Sequence, residues 1–494
     1  MNSIKLKYAA VWMTLLTSSY SITVGAQPTT ATPVPAPGPM TSPVDGSTKV
    51  QVPDEAQLAQ PRTTADPQSA NQVVNFSDWV SDFERKTDVS VNRTVDGKTY
   101  YSVQVPVRVT PTDTNYVKYL STAYRQAVLE LQSQYVLSLY GGLKTQLVQE
   151  FFRDDSTNAR TFPDIDNELA KISSASMAQQ NRIINKALKA LEGSLDQKLV
   201  EQGADATKVK QLTIPQKKTL FIDNISSKSF KSAVGSVSGL VTVQTRLFTE
   251  IESTTKKPVV SLGVIAIISE KTTKFAEDIR RLNLKTNISG KPRPLAFYIP
   301  QSAEDRINTI GLRYGYDEQG RPMLISFGQW SVFQKTDDPA IAMKLRQAAE
   351  ATAQIDAESY IAFFAQTNMS TSMNQDTEVA SENTLKKINK VDASTGELIE
   401  SSESPAGPVK ELLDQQFKKS RATAEIKLTG MSPYKGWTET GADGLTRVGK
   451  IVIWSYSDLE NHQRMSRPQS GKTGTGAFAP QTGESRIVNT KDDF

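Results

Sequence analysis

The stretch that decides the fold is LGVIAIIS, Leu262–Ser269, because the chain writes it a second time as VGKIVIWS, Val448–Ser455. Set side by side, Gly263 falls on Gly449, Ile265 on Ile451, Ile267 on Ile453 and Ser269 on Ser455. Each run is short, apolar and rich in β-branched residues, which is the composition of a buried strand. The longer run PVVSLGVIAII, residues 258–268, fits the same reading, since a membrane-spanning helix needs roughly 20 apolar residues. A second β-rich segment precedes each strand, SGLVTVQTRLF at Ser238–Phe248 and TGMSPYKGWTE at Thr429–Glu439, so each half of the chain closes with a hairpin.

Working outward, each half also opens with a hairpin. VSVNRTVDGKTYYSVQVPVRV, Val89–Val109, turns at Asp96-Gly97, and LRYGYDEQGRPMLISFGQWSV, Leu312–Val332, turns at Gln319-Gly320. Glycine reaches the positive φ that tight hairpin turns demand. Aligned on these glycines, Trp330 falls on Val107 as a framework position.

After the first hairpin, Tyr116, Leu120, Ala123, Ala127, Leu131 and Tyr135 recur at helical spacing up to Gly141-Gly142. After the second, Ile341, Leu345, Ala348, Thr352, Ile355 and Ala362 do the same, behind a helix start at Asp338-Pro339. Both helices carry Arg-Gln-Ala, at Arg125 and Arg346. Further helical tracts are expected over Asp164–Gln202 and from Lys410 to about Arg421, the latter after a loop, STGELIESSESPAGP, at Ser394–Pro408. Four elements in one order predict an internal duplication. The expected class is α+β: two tandem repeat units, residues 76–283 and 298–458, each an antiparallel sheet under long helices, joined by a linker at 284–297.

The ends read differently. Residues 1–26 run from Lys5 and Lys7 through an apolar stretch to Val24-Gly25-Ala26, the order of a secretory signal peptide. Residues 27–75 are rich in Pro, Thr and Ala, and residues 459–494 are polar, so both are expected to be disordered. Removing two lysines with the signal takes the formal charge from +4 to +2. Nearly neutral and without a basic stripe, the chain is not expected to bind nucleic acid. With no cysteine it has neither a disulfide nor a lipid-anchor thiol. The expected address is periplasmic or extracellular, in association with the outer membrane, with no transmembrane segment.

Most catalytic chemistries find no constellation. A single histidine, His462, cannot assemble a zinc site of the usual kind, and it lies outside the expected core, where a serine triad would need it. Ser253-Thr254-Thr255-Lys256 and Lys472-Thr473-Gly474 have the spacing of penicillin-recognising enzymes but lie in a connection and a polar tail. Asp164, Asp166, Asp317 and Glu318 are candidate acids for glycoside hydrolysis, all at turns or helix ends. Tyr100, Tyr101, Tyr116, Trp330, Trp437 and Trp454 are candidates for an aromatic surface that takes a glycan or a protein. No catalytic, cofactor or metal residue is assigned from sequence, and no cofactor is expected.

The strand SVQVPVRV with the helix AYRQAVLELQSQ, LISFGQWSV with LRQAAEATAQ, and the two closing strands together resemble the small α+β domain of bacterial outer-membrane lipoproteins and flagellar basal-disc proteins, here in tandem. LISFGQW also looks like part of an uncharacterised exported bacterial family. The resemblance implies a non-catalytic structural or interaction protein of the cell envelope, contributing to a multi-subunit assembly with protein partners or further copies of itself. The alternatives are a cell-wall or glycan hydrolase working through carboxylates and a glycan- or ligand-binding module.

Overall fold

The computed structural model describes residues 75–466 except 111–112, 114, 155–161, 172–175, 252–257, 333–335, 337, 366–374, 400–403, 425–428 and 441–445. The expected signal peptide and tether, the tail beyond residue 466, Ser253–Lys256 and Lys472–Gly474 lie outside the described residues.

The first repeat opens with α1 (Phe76–Thr87), then β1 (Thr94–Val95) and β2 (Lys98–Pro106). The long α2 (Tyr116–Asp154) follows, then four short helices: α3 (Pro163–Lys171), α4 (Met177–Ala190), α5 (Leu195–Glu201) and α6 (Ala206–Gln211). It closes with α7 (Ile214–Gly235), β3 (Val241–Ile251), β4 (Pro258–Ser269) and α8 (Glu270–Arg281). The second repeat runs through α9 (Ala303–Asn308), β5 (Gly311–Tyr316), β6 (Pro322–Ser331), α10 (Pro339–Ala365), α11 (Gln375–Ile388), β7 (Lys390–Val391) and β8 (Leu398–Ile399). α12 (Ala406–Ala424), β9 (Met431–Thr440), β10 (Thr446–Trp454) and α13 (Tyr456–Ser466) complete it.

The two main sheets have one topology. Their orders are β1-β2-β4-β3 and β5-β6-β10-β9, antiparallel throughout, so the two halves correspond strand for strand. The closing strands share a finer feature. β3 bulges at Val243, between the residues that face Ala266 and Ile265, and β9 bulges at Tyr434, between those that face Val452 and Ile451. These are equivalent positions, and a bulge kept at one register is a designed kink rather than an accident. The chain is α+β and internally duplicated.

Register corrects the sequence alignment at one point. Gln104 faces Gly263 and Gln329 faces Gly449, so Trp330 corresponds to Val105, not Val107. The β1–β2 turn holds two residues, whereas Tyr316 pairs with Pro322 across a longer turn, and aligning on turn glycines therefore slips by two. A slip of two keeps every side chain on its face, which is why the strand assignment survives.

Other boundaries also move. α2 does not end at Gly141-Gly142. It runs on to Asp154, where Val148 and Phe152 are buried in a second core, and Gln180 of α4 occupies the space a Cβ on Gly141 would need, 2.4 Å from its Oε1. α7, missed in the sequence, is the true counterpart of α12, and α3–α6 form an insertion that packs on the ends of α2 and α7 in that second core around Phe152, Leu188 and Phe221. The presumed loop at Ser394–Pro408 contains β8 and the first turn of α12. The second unit does not stop at 458, since α13 is capped by Ser455 Oγ, which accepts the Asp458 N–H at 3.1 Å. Ser269 caps α8 in the same way.

Residues 284–297 are no free linker. Gly290 N–H donates to Gly320 O at 3.0 Å with its Cα against the Tyr316 ring, and just beyond the segment Tyr298, 1% exposed, lies over Gly315 with its hydroxyl accepting the Tyr316 N–H at 2.9 Å. With Ile299 it covers Met323, Ile325 and Phe327 on the outer face of the second sheet. In the first repeat α1 does this work, with Trp79 and Phe76 lying over Gly263.

The repeats share one core. Leu120, Ile265, Phe275, Tyr314, Ile361 and Trp454 belong to a single apolar cluster drawn from both. At the seam Tyr124 of α2 sits against Gly311, and its hydroxyl accepts the Leu312 N–H of β5 (3.0 Å) and shares a hydrogen bond with Thr242 Oγ1 of β3 (2.7 Å). Arg313 adds a bond from Nη2 to Thr245 Oγ1 at 3.0 Å. Tyr124→Phe leaves the buried Leu312 N–H without its acceptor, and urea unfolding is expected to show a loss of about 1–3 kcal/mol. A loss below about 0.5 kcal/mol, the level of ordinary surface changes, would show that the seam is held by other contacts.

Candidate binding clefts

The sequence candidates separate into groups with different fates. Asp164 stands exposed in the first turn of α3, and Asp166 is tied to Arg153 at 2.6 Å. Asp317 shapes the β5–β6 turn by accepting the N–H groups of Gln319 (2.9 Å) and Arg321 (2.8 Å), with Glu318 exposed beside it. The first pair sits in the helical insertion of one repeat and the second at a hairpin tip of the other, and none of the four lines a cleft described below. His462 is exposed on α13, and among the described residues no group of three His, Cys, Asp or Glu side chains is arranged to hold a metal.

Of the aromatic candidates, Tyr100, Tyr101, Tyr116 and Trp454 are buried in the shared core. Burial pushes the Tyr101 and Tyr116 phenols up to about 12, so both stay neutral hydrogen-bonding groups. Trp330 and Trp437 are half-buried, and each lines a cleft.

The larger cleft, about 370 Å³, lies on the outer face of the second sheet. Trp437 forms one wall, lying so flat on Gly449 that a Cβ there would come within 2.0 Å of its ring. Tyr434, 47% exposed at the bulge, and Ile299 and Pro300 from the inter-repeat segment add apolar surface. The polar rim is Arg306 and Glu439, joined at 2.6 Å, with the Arg306 Nη1 donating to Gln301 O. In the first repeat Trp79, Phe76 and Phe248 crowd over the equivalent glycine, Gly263, with their rings packed at 5.5–6.0 Å. The chain's own rings therefore cover the glycine in both repeats, three of them over Gly263 and Trp437 alone over Gly449, and only the second repeat keeps a cleft open beside it.

The smaller cleft, about 190 Å³, lies on the seam between the repeats. α2 presents Lys118, Ser121, Thr122 and Arg125, spaced three and four residues apart and so on one helical stripe. α10 faces it with Asp356, Ser359 and Tyr360, and Trp330 of β6 and Phe417 of α12 complete the lining. Ser121 Oγ donates to Asp356 Oδ2 at 3.0 Å and shares a hydrogen bond with the Tyr360 hydroxyl at 3.0 Å. Burial, with Asp356 alongside, holds the Tyr360 phenol well above its usual range.

Sequence reading passed over Lys144, because a helix ending at Gly142 would have left it in a loop. It is 2% exposed inside the helical bundle, with Nζ 3.1 Å from Asn181 Oδ1 and 5.1 Å from the centre of the Tyr140 ring. Burial pushes its pKa down to about 7.

Residues 180–281, from within α4 through α8, match a family described only as a domain of unknown function, DUF6844. No curated protein matches the chain. Among solved structures, the chain is similar to hypothetical protein FTT1539c from Francisella tularensis, at 18% identity and a TM-score of 0.47, over 80% of this chain and 95% of that one.

Proposed function

We propose that the chain is an exported, non-catalytic interaction protein of the bacterial cell envelope, which joins a multi-subunit assembly through the outer-face groove of its second repeat. The observation that carries this reading is the asymmetry between the repeats. Around Gly263 the face is closed by Trp79, Phe76 and Phe248, whereas beside Gly449, which Trp437 alone covers, a groove walled by Trp437 and Tyr434 stays open. An aromatic side chain of a partner subunit fits that groove, and buried aromatic anchors are what dominate such interfaces. The envelope address rests on the order of residues 1–26.

Size-exclusion chromatography with light scattering on the full chain, over a range of concentrations, tests this directly. A discrete oligomer is expected, reduced to monomer by Trp437→Ala combined with Tyr434→Ala. A monomer at every concentration sinks self-assembly. A second reading, a glycan-binding module, is favoured by the Arg306–Glu439 pair beside Trp437, since a sugar ring stacks its C–H face on an indole while planar polar groups take its hydroxyls. Co-sedimentation with isolated peptidoglycan, lost in Trp437→Ala, would replace the first reading with this one.

A further inference from the structure

We infer that the seam cleft is a binding site for a small carboxylate, held between Lys118 and Arg125 of the first repeat and the Asp356–Tyr360 side of the second. Charge is the first argument. Lys118 and Arg125 stand seven residues apart, about 10 Å along the axis of α2, with their side chains lining one cleft. Among the described residues Lys118 makes no ion pair. Among the same residues Arg125 pairs with Asp414 alone, at 3.9 Å, and that carboxylate is already held by Lys418 at 2.7 Å.

The second argument is an unmet hydrogen bond. Arg125 Nε is shielded from water yet donates to no acceptor, while its guanidinium lies 5.7 Å from the centre of the Phe417 ring. A buried donor without an acceptor is costly, and a planar guanidinium in that state is matched by a carboxylate, which can accept two parallel N–H bonds. Among the described residues Asp356 is the only acid that lines the cleft, so there two cations and one anion leave a net single positive charge, the complement of a monocarboxylate.

The third argument is selectivity. Asp356 is 7% exposed and already accepts from Ser121, and it repels a second carboxylate but accepts from a hydroxyl beside the first. An α-hydroxy acid therefore suits the cleft better than a simple one. At roughly 30 Å³ per water, the cleft has room for about six waters, the size of such a molecule. Sites of this kind recur where two structural units meet.

Isothermal titration calorimetry of the full chain with lactate, acetate, phosphate and chloride, at matched ionic strength, tests the site. One lactate per chain is expected, bound more tightly than acetate, with no heat from phosphate or chloride. Arg125→Gln is expected to weaken lactate about tenfold or more, the usual worth of a charge-assisted pair. Lys118 is exposed, so Lys118→Gln keeps the fold and is expected to weaken lactate as well, whereas Lys189→Gln, on the exposed face of α4 and outside the cleft, leaves it unchanged. Absence of lactate heat, equal heats from phosphate and lactate, or unchanged lactate affinity in Lys118→Gln would each overturn the assignment. None of these outcomes depends on the outer-face groove.

Discussion

Gly328→Ala is expected to destabilise the protein by about 3 kcal/mol, and Gly328→Val to prevent it from folding. Gly328 is the point at which α10 touches the second sheet. A Cβ built there would stand 1.9 Å from Ala353 O and 2.7 Å from Ala357 N. Both are backbone atoms of a helix, so no side-chain rotation relieves the clash, and the helix itself must lift. It is pinned two residues away, where Ser326 Oγ donates to Ala357 O at 2.7 Å. Lifting it would break that bond and open the apolar layer that holds Ile361 and Phe364.

The first repeat supplies the control. Val103 faces Val264 as Gly328 faces Lys450, so Val103 is the equivalent residue, and it already carries a branched side chain. Val103 is only half-buried, so Val103→Gly is expected to cost about 1–2 kcal/mol, from lost burial and a freer backbone. Urea midpoints for the three variants settle the point. If Gly328→Ala unfolds within about 0.5 kcal/mol of the parent, the helix is free to move off the sheet and the contact does not govern the fold.

That contrast also shows how far the sequence could be read. The closing strands were legible because Gly263 and Gly449, the alternating isoleucines and the terminal serines impose the same constraints twice. The hairpins and the starts of the long helices were legible for similar local reasons, and Asp338 does accept the Ala340 N–H at 2.8 Å. What escaped depends on contacts between distant residues. Gly141 looked like a helix end until Gln180 was seen against it. The 284–297 segment has the local look of a linker because its packing rests on Gly290 meeting the Tyr316 ring, which no local pattern announces. α8 and α13 were missed although Ser269 and Ser455 cap them, because those serines had been read only as the ends of strands.

The clefts were less legible still. Trp437 was singled out, but its groove exists only because residues 296–301 and Arg306 fold back beside β9. Arg125 was noticed as part of a repeated Arg-Gln-Ala and not as a ligand-facing cation. Its surroundings come from Asp356, Trp330 and Phe417, each far away in the chain. A sequence shows which residues repeat, and only the packing shows beside which repeated position a cleft is left.

Lys144→Met is expected to stabilise the protein by several kcal/mol at and below pH 7, and by progressively less as the pH rises toward 10.5. The ammonium lies 2% exposed, and its contacts are Asn181 Oδ1 and the face of the Tyr140 ring. Neither is a charge, so burial dominates and lowers the pKa from 10.5 to about 7. Below pH 7 the lysine is protonated in both folded and unfolded chains, and the fold carries the full cost of an ionised group removed from water. Between about pH 7 and 10.5 the unfolded chain holds the proton and the folded chain has released it. Stability therefore rises with pH across that window, by at most about 1.4 kcal/mol per pH unit, and the cost is gone above it. Methionine matches the length of the lysine stem and fills irregular apolar space, so it removes the charge without opening a large void. The loss of the Asn181 bond offsets part of the gain, by about 1 kcal/mol. Urea unfolding of the parent and Lys144→Met at pH 6, 8 and 10 reads the effect as a gap between two curves that narrows with rising pH. A gap of constant size, or a variant less stable than the parent at pH 6, would mean that the ammonium is accommodated inside the bundle and that α2 was built to hold a charge there.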